Sequence, residues 1–309
     1  MRIATFDSKD GPRVGIVDGN RILDLAAASA SLAGTGGPAS VLDLIRGGDA
    51  ARREAERIFG LAVAAEDASG LFHDLDAVRL LAPIPRPAKN VFCVGRNYKL
   101  HIEEGARARG QTPTYPAVPE FFTKPPTAVV GPEADIRLDP AVTAKLDYEV
   151  ELAFVIGSQC RDVAAERAHE FIFGYTVLND VTARDLQSAH GQWFKGKGLD
   201  ASCPIGPWIV TADAFGADAG HGISLRVNGE TRQSSTTQDM LFDCAAILAS
   251  LSAGMTLEPG DIVTTGTPSG VGFGMTPQVF LRDGDVIEAE IEGIGILRNT
   301  VRQAARGQA

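Results

Sequence analysis

The chain has 309 residues, 44% hydrophobic and 22% charged, with 34 glycines and a formal charge of −10 from 39 acids against 29 bases. That is ordinary globular composition, with material for one large domain or two. The acidic balance and the lack of any Lys/Arg cluster exclude nucleic acid and an anionic membrane as main partners. An acidic small molecule is still admitted, provided a cation or local bases sit in its pocket.

In chain order, "MRIATFDSKDGPRVGIVDG" has no apolar core of signal-peptide type, and no uncharged apolar run reaches the length of a membrane span. Cys93, Cys160, Cys203 and Cys244 are widely separated, with no Cys-x-x-Cys, and read as reduced, buried thiols of a cytoplasmic protein. Residues 1 to about 25 read as short strands, with Asp18-Gly19 a hairpin signal. "ASVLDLIRGG" and "AARREAERIFG" have helical patterns. Pro83, Pro85 and Pro87 then forbid helix and favour an extended connector. The reading therefore divides the chain into a small α/β domain at 1–75, a connector at 76–90 and a second domain at 91–309.

Beyond the connector, β-branched runs such as "NVFCVG", "GYTVLNDVT" and "DIVTTG" alternate with turn residues. Helices are fewer, with "DVAAERAHEFI" and "MLFDCAAILASLSAG" fitting apolar residues at helical spacing. Strands and helices do not alternate regularly. The expected class is α+β, mostly β, with a mixed or antiparallel core and peripheral helices.

"KLDYEVELAFVIG" carries Asp147, Glu149 and Glu151 at alternate positions, hence on one strand face, just before an apolar run. Buried carboxylates need a partner or a metal. Glu149 and Glu151, about 6–7 Å apart along a strand, can share one cation. Asp180, after the run Tyr175–Leu178, offers a third ligand from a neighbouring strand end. Three carboxylates suit Mg²⁺, Mn²⁺ or Ca²⁺ and suit zinc poorly. The competing reading is an edge strand with its acids in water.

Three further segments bear chemistry. In "VGRNYKLHIEEGARARG", His101 and Glu104 are neighbours on a helical turn, either a general base with its carboxylate or a solvated pair. In "WFKGKGLDASCP", Lys197 or Lys195 is placed to stabilise an oxyanion. In "GTPSGVGFG", the loop amides and the Thr267 hydroxyl are placed to hold a carboxylate. Lys124 in "FFTKPPTAVVGP" is a candidate for meeting an anionic substrate.

Taken in order, these segments, with "NGETRQ" and the closing "GDVIEAEIEGIGILRNTV", resemble the fumarylacetoacetate hydrolase family over about residues 90–303. The amino-terminal part resembles the leading domain of its longer members. The resemblance implies a β-roll or barrel-like core of mixed sheets, a homodimer, and Mg²⁺ or Mn²⁺ held by Glu149, Glu151 and Asp180. It implies His101 and Glu104 as a lid dyad, Lys197 rather than Lys195 as the active lysine, and substrate contacts from Arg96, Lys124, Gln187 and Thr267. Asp147 is given no role; it either supports the ligands or meets water. The expected reaction is hydrolysis of a C–C bond in an acylpyruvate or β-diketo acid, in catabolism of aromatic or sugar-derived acids. The alternatives are a tautomerase, isomerase or decarboxylase of a 2-oxo dicarboxylate working through the same metal enolate, and a binding protein with a structural metal. Specificity is expected in residues 99–120 and 186–196.

Overall fold

The computed structural model describes residues 1–68 and 70–304. The fold is α+β and mostly sheet: a 12-stranded sheet, a five-stranded sheet and a two-stranded ladder, with helices at the periphery. The pairing order of the large sheet is open at both ends, so no closed barrel forms among the described residues.

Most ladders are antiparallel. The "VDGN" signal is realised as an antiparallel pair, Arg13–Asp18 with Arg21–Asp24, in which Asp18 faces Arg21 across a two-residue turn. Other expectations need adjustment. "DVAAERAHEF" forms a 3₁₀ segment, Ala165–Phe171, in place of an α-helix. A helix absent from the sequence reading, Leu25–Ala33, starts where the Asp24 side chain accepts the Ala27 amide.

The amino-terminal strands do not form a sheet of their own. Arg2–Phe6 pairs antiparallel with Cys203–Thr211, Arg2 opposite Val210, and Leu80–Leu81 of the connector pairs with Arg2–Phe6 as well. One sheet thus runs across the boundary drawn at 76–90. One hydrophobic core crosses it too, packing Leu25, Leu44 and Ile58 with Ala153, Val155 and Ile209.

The acid-bearing strand, Val150–Ile156, lies between Ile172–Asn179 and Ile262–Thr264, and all seven of its residues are buried. Its apolar side chains divide by parity, as pleating requires. Leu152, Phe154 and Ile156 face a core shared with Leu225, Ile287 and Leu297 of the five-stranded sheet. Ala153 and Val155 face the core shared with the amino-terminal helices. Glu151 has the odd parity and extends that second face beyond its apolar part.

Candidate active site

Strand register assembles the acids. Val150 pairs with Asn179, so the next residue of each chain segment, Glu149 and Asp180, meet, and the Asp180 amide donates to the Glu149 carbonyl at 2.8 Å. Glu149, Glu151 and Asp180 are all buried, and one carboxylate oxygen from each lies within 4.8 Å of the others. The edge-strand alternative fails, because this strand is central and its acids are closed off from water.

Three cations share the floor. Lys197 Nζ reaches Glu149 Oε2 at 2.7 Å and Asp180 Oδ2 at 2.6 Å. Arg184 contacts Glu149 Oε1 through Nη1 at 2.6 Å and Asp147 Oδ2 through Nε at 2.8 Å. Lys124 Nζ meets Asp180 Oδ1 at 2.7 Å and donates to the Val181 and Lys197 carbonyls. Lys195 is exposed and Lys197 is buried, which places the latter at the acids.

The expectation that Lys124 meets an anionic substrate is corrected. It is wholly buried beneath the acids, absent from the cleft wall, with its ammonium taken up by Asp180 and two carbonyls. Asp147 is neither solvated nor aligned with the other acids. It sits on the short strand Leu146–Asp147, where it accepts from Arg184 and from the Gly272 and Phe273 amides at 2.8 and 2.9 Å.

The electrostatics leave one acid without a cation. Burial opposes ionisation of Glu149, but Lys197 and Arg184 outweigh it and hold the carboxyl at about 2. For Glu151, burial first and then the charges of Asp180 and Glu149 push the carboxyl well above its usual range. Among the described residues Glu151 forms no ion pair, and its hydrogen-bond partner is the Gly266 amide at 3.0 Å. Nearby, the Tyr98 hydroxyl is buried without a protein partner. Three buried carboxylates, one of them short of positive charge, fit a hard divalent ion bound through oxygen.

Above this floor opens a cleft of about 460 Å³, lined by Glu149, Glu151, Lys197, Thr267, His101 and Arg96 among others. His101 lies on the helix Lys99–Ala108, with Nδ1 3.4 Å from Glu104 Oε2. Both Glu104 oxygens accept from the Gly270 amide, at 3.0 and 3.1 Å, which docks this helix on the glycine-rich loop. A Cβ on Gly274 would stand 2.2 Å from the Glu104 side chain, so the docking requires glycine there. Arg96 Nη1 pairs with Glu120 at 2.9 Å, and its Nη2 donates to the Thr114 hydroxyl at 3.1 Å, pinning the segment after the helix. The Gln187 side-chain oxygen accepts from Arg184 at 3.2 Å. Thr267 donates to the Val150 carbonyl at 2.9 Å and accepts from Gln233 at 2.7 Å.

Sequence reasoning missed Arg184, Arg109, Trp193 and Phe273, all on the cleft wall. Trp193 packs so closely on Gly95 that a Cβ there would stand 2.2 Å from its ring. A lone arginine or aromatic in a polar segment gives no local signal; tertiary contact defines its role.

The chain belongs to the fumarylacetoacetate hydrolase family. A profile described as "Fumarylacetoacetate (FAA) hydrolase C-terminal" matches residues 90–302. Oxaloacetate tautomerase YisK of Bacillus subtilis is 43% identical over 305 residues, covering 97% of this chain and 100% of that protein. The solved fumarylacetoacetate hydrolase of Exiguobacterium antarcticum is 42% identical, with a TM-score of 0.77, covering 98% of this chain and 100% of its own. The 2-hydroxyhepta-2,4-diene-1,7-dioate isomerase of Mycobacterium marinum is 35% identical, with a TM-score of 0.72 and full coverage of both chains.

Proposed function

We propose that this chain is a divalent-metal-dependent tautomerase of 2-oxo dicarboxylates, interconverting the keto and enol forms of oxaloacetate-like acids. Hydrolysis, the leading expectation from the sequence, gives way to its alternative. The similarity to a protein named oxaloacetate tautomerase, end to end, supports the exchange reaction. So does the similarity to a diene-dioate isomerase.

The observation that carries the reading is the ion-paired Lys197 ammonium at the floor of a cleft whose wall bears His101. Keto–enol exchange takes one proton from the carbon beside the 2-oxo group and delivers one to the oxygen. An ammonium beside that oxygen stabilises the enolate as charge develops. His101 is the proton carrier, its ring oriented by Glu104. Glu149, Glu151 and Asp180 would hold Mg²⁺ or Mn²⁺, or Ca²⁺ in their place, and the bound ion would supply Lewis-acid polarisation of the 2-oxo acid end. Gln187, Thr267 and Arg96 line the same cleft and are assigned to the substrate.

A second reading, hydrolysis of an acylpyruvate with His101 activating water, is favoured by the similarity to the Exiguobacterium fumarylacetoacetate hydrolase. One experiment separates the two. Enol-form oxaloacetate is mixed with the chain and its ultraviolet absorbance followed. Decay faster than the uncatalysed rate, stopped by a chelator and restored by Mg²⁺ or Mn²⁺, is expected. Release of pyruvate from acylpyruvates, with oxaloacetate decaying at its uncatalysed rate, would overturn the tautomerase in favour of the hydrolase.

A further inference from the structure

Four arginine and lysine residues, Arg96, Arg109, Arg184 and Lys197, line the cleft. Lys197 is engaged by Glu149 and Asp180, and Arg96 by Glu120. Arg184 directs Nε and Nη1 to Asp147 and Glu149. Its Nη2 is buried with no hydrogen-bond partner, on a residue only 6% exposed.

Arg109 differs from the other three. It follows the lid helix Lys99–Ala108 and forms no ion pair among the described residues. Its Nε donates to the neutral side chain of Gln111 at 3.3 Å. The guanidinium lies back across Gly105, within 3.2 Å of where a Cβ would stand, so the helix surface leaves it room over the cleft. Burial, with the charges of Arg96 and Arg184 added, lowers its pKa, as expected for a cation among cations with no acid beside it. Arg109 and Arg184 also flank one ring: their guanidinium carbons stand 5.9 and 6.0 Å from the centre of Phe273.

We infer that Arg109, together with the Nη2 edge of Arg184, receives the second carboxylate of the substrate and selects dicarboxylates over monocarboxylates. The inference rests on the proposed reading in one respect, that the 2-oxo acid end of the substrate sits at the acid-lined floor. A planar guanidinium matches a carboxylate in two parallel hydrogen bonds, which a neutral wall cannot reproduce. Because Arg109 continues the helix that carries His101, a dicarboxylate bridges floor and lid, and a monocarboxylate touches only the floor.

The test uses malate and lactate, which share the 2-hydroxy acid pair and differ by the second carboxylate. Binding to the Mn²⁺-loaded chain is measured by calorimetry for wild type, Arg109→Gln and Arg109→Lys. Wild type is expected to hold malate about 10-fold or more tighter than lactate, the scale of one charge-assisted contact at a cleft rim. Arg109→Gln brings malate to the level of lactate and leaves lactate unchanged, while Arg109→Lys retains part of the difference. Equal weakening of both ligands in Arg109→Gln, or no malate preference in wild type, overturns the inference. Turnover decides the functional reading separately. Malate selectivity lost in Arg109→Gln, in a chain that does not speed oxaloacetate enol decay, upholds the receptor and removes the tautomerase.

Discussion

The floor and the roof of the cleft are built differently. At the floor, three buried carboxylates, Asp147, Glu149 and Asp180, interlock with three buried cations beside the unpaired Glu151, each cation holding at least one acid at 2.8 Å or less. The roof is one helix held by the Glu104–Gly270 contact, by its buried Ile102 and Ala106, and by the Arg96 clamp on the segment that follows. Removing a floor group strands a charge in a medium where it cannot be solvated. On the roof, His101, Arg96 and Arg109 are not fully buried, so removing one of them strands no such charge. The floor therefore couples chemistry to folding, and the roof lets chemistry vary while the fold stands.

The sharpest attack on that contrast is Asp180→Ala, which leaves two buried ammonium groups, Lys124 and Lys197, short of their shared acid. Urea unfolding should show a loss of about 3–5 kcal/mol. A loss under about 1 kcal/mol would dissolve the distinction. His101→Ala tests the roof: enol exchange should fall about 100-fold or more, with the urea midpoint unmoved. A parallel drop in stability would make that helix part of the folding unit.

Glu151→Gln refines the floor itself. Among the described residues Glu151 is the floor acid that forms no ion pair, and its carboxyl is pushed well above the usual range by burial and its acidic neighbours, so the metal-free variant should match wild type within about 1 kcal/mol. The rise in melting temperature that Mg²⁺ or Mn²⁺ gives wild type should vanish. A variant that still gains stability from either ion would mean that Glu151 is not a ligand.

How far these differences are legible in the sequence depends on distance along the chain. Glu149 and Glu151 announce themselves, because two acids at period two before an apolar run conflict with ordinary burial. Asp180 follows from strand logic, two positions beyond an apolar run. Lys124 misleads: a lysine beside a strand end reads as ligand-facing, yet its stem passes under the floor and its charge serves Asp180. Arg184 and Asp147 are 37 positions apart and nothing local joins them. The pairing of Arg2 with Val210 is likewise invisible, so residues 1–75 read as a separate body although their strands extend the large sheet. Leu25–Ala33 escapes because its alanines and serines give no polar stripe, and only the Asp24 cap marks it.

Asp147 ties two parts of the cleft together. Its one carboxylate accepts from Arg184 on one side and from the Gly272 and Phe273 amides on the other. The loop bearing Phe273 is thereby tethered to the arginine that grips Glu149. Engineers who graft a foreign loop at 270–275 to accommodate longer substrates would sever that tether and loosen the ion-binding end along with it. Remodelling the segment after the lid helix, from Arg109 through Thr112, leaves the tether whole and offers the gentler route to altered selectivity.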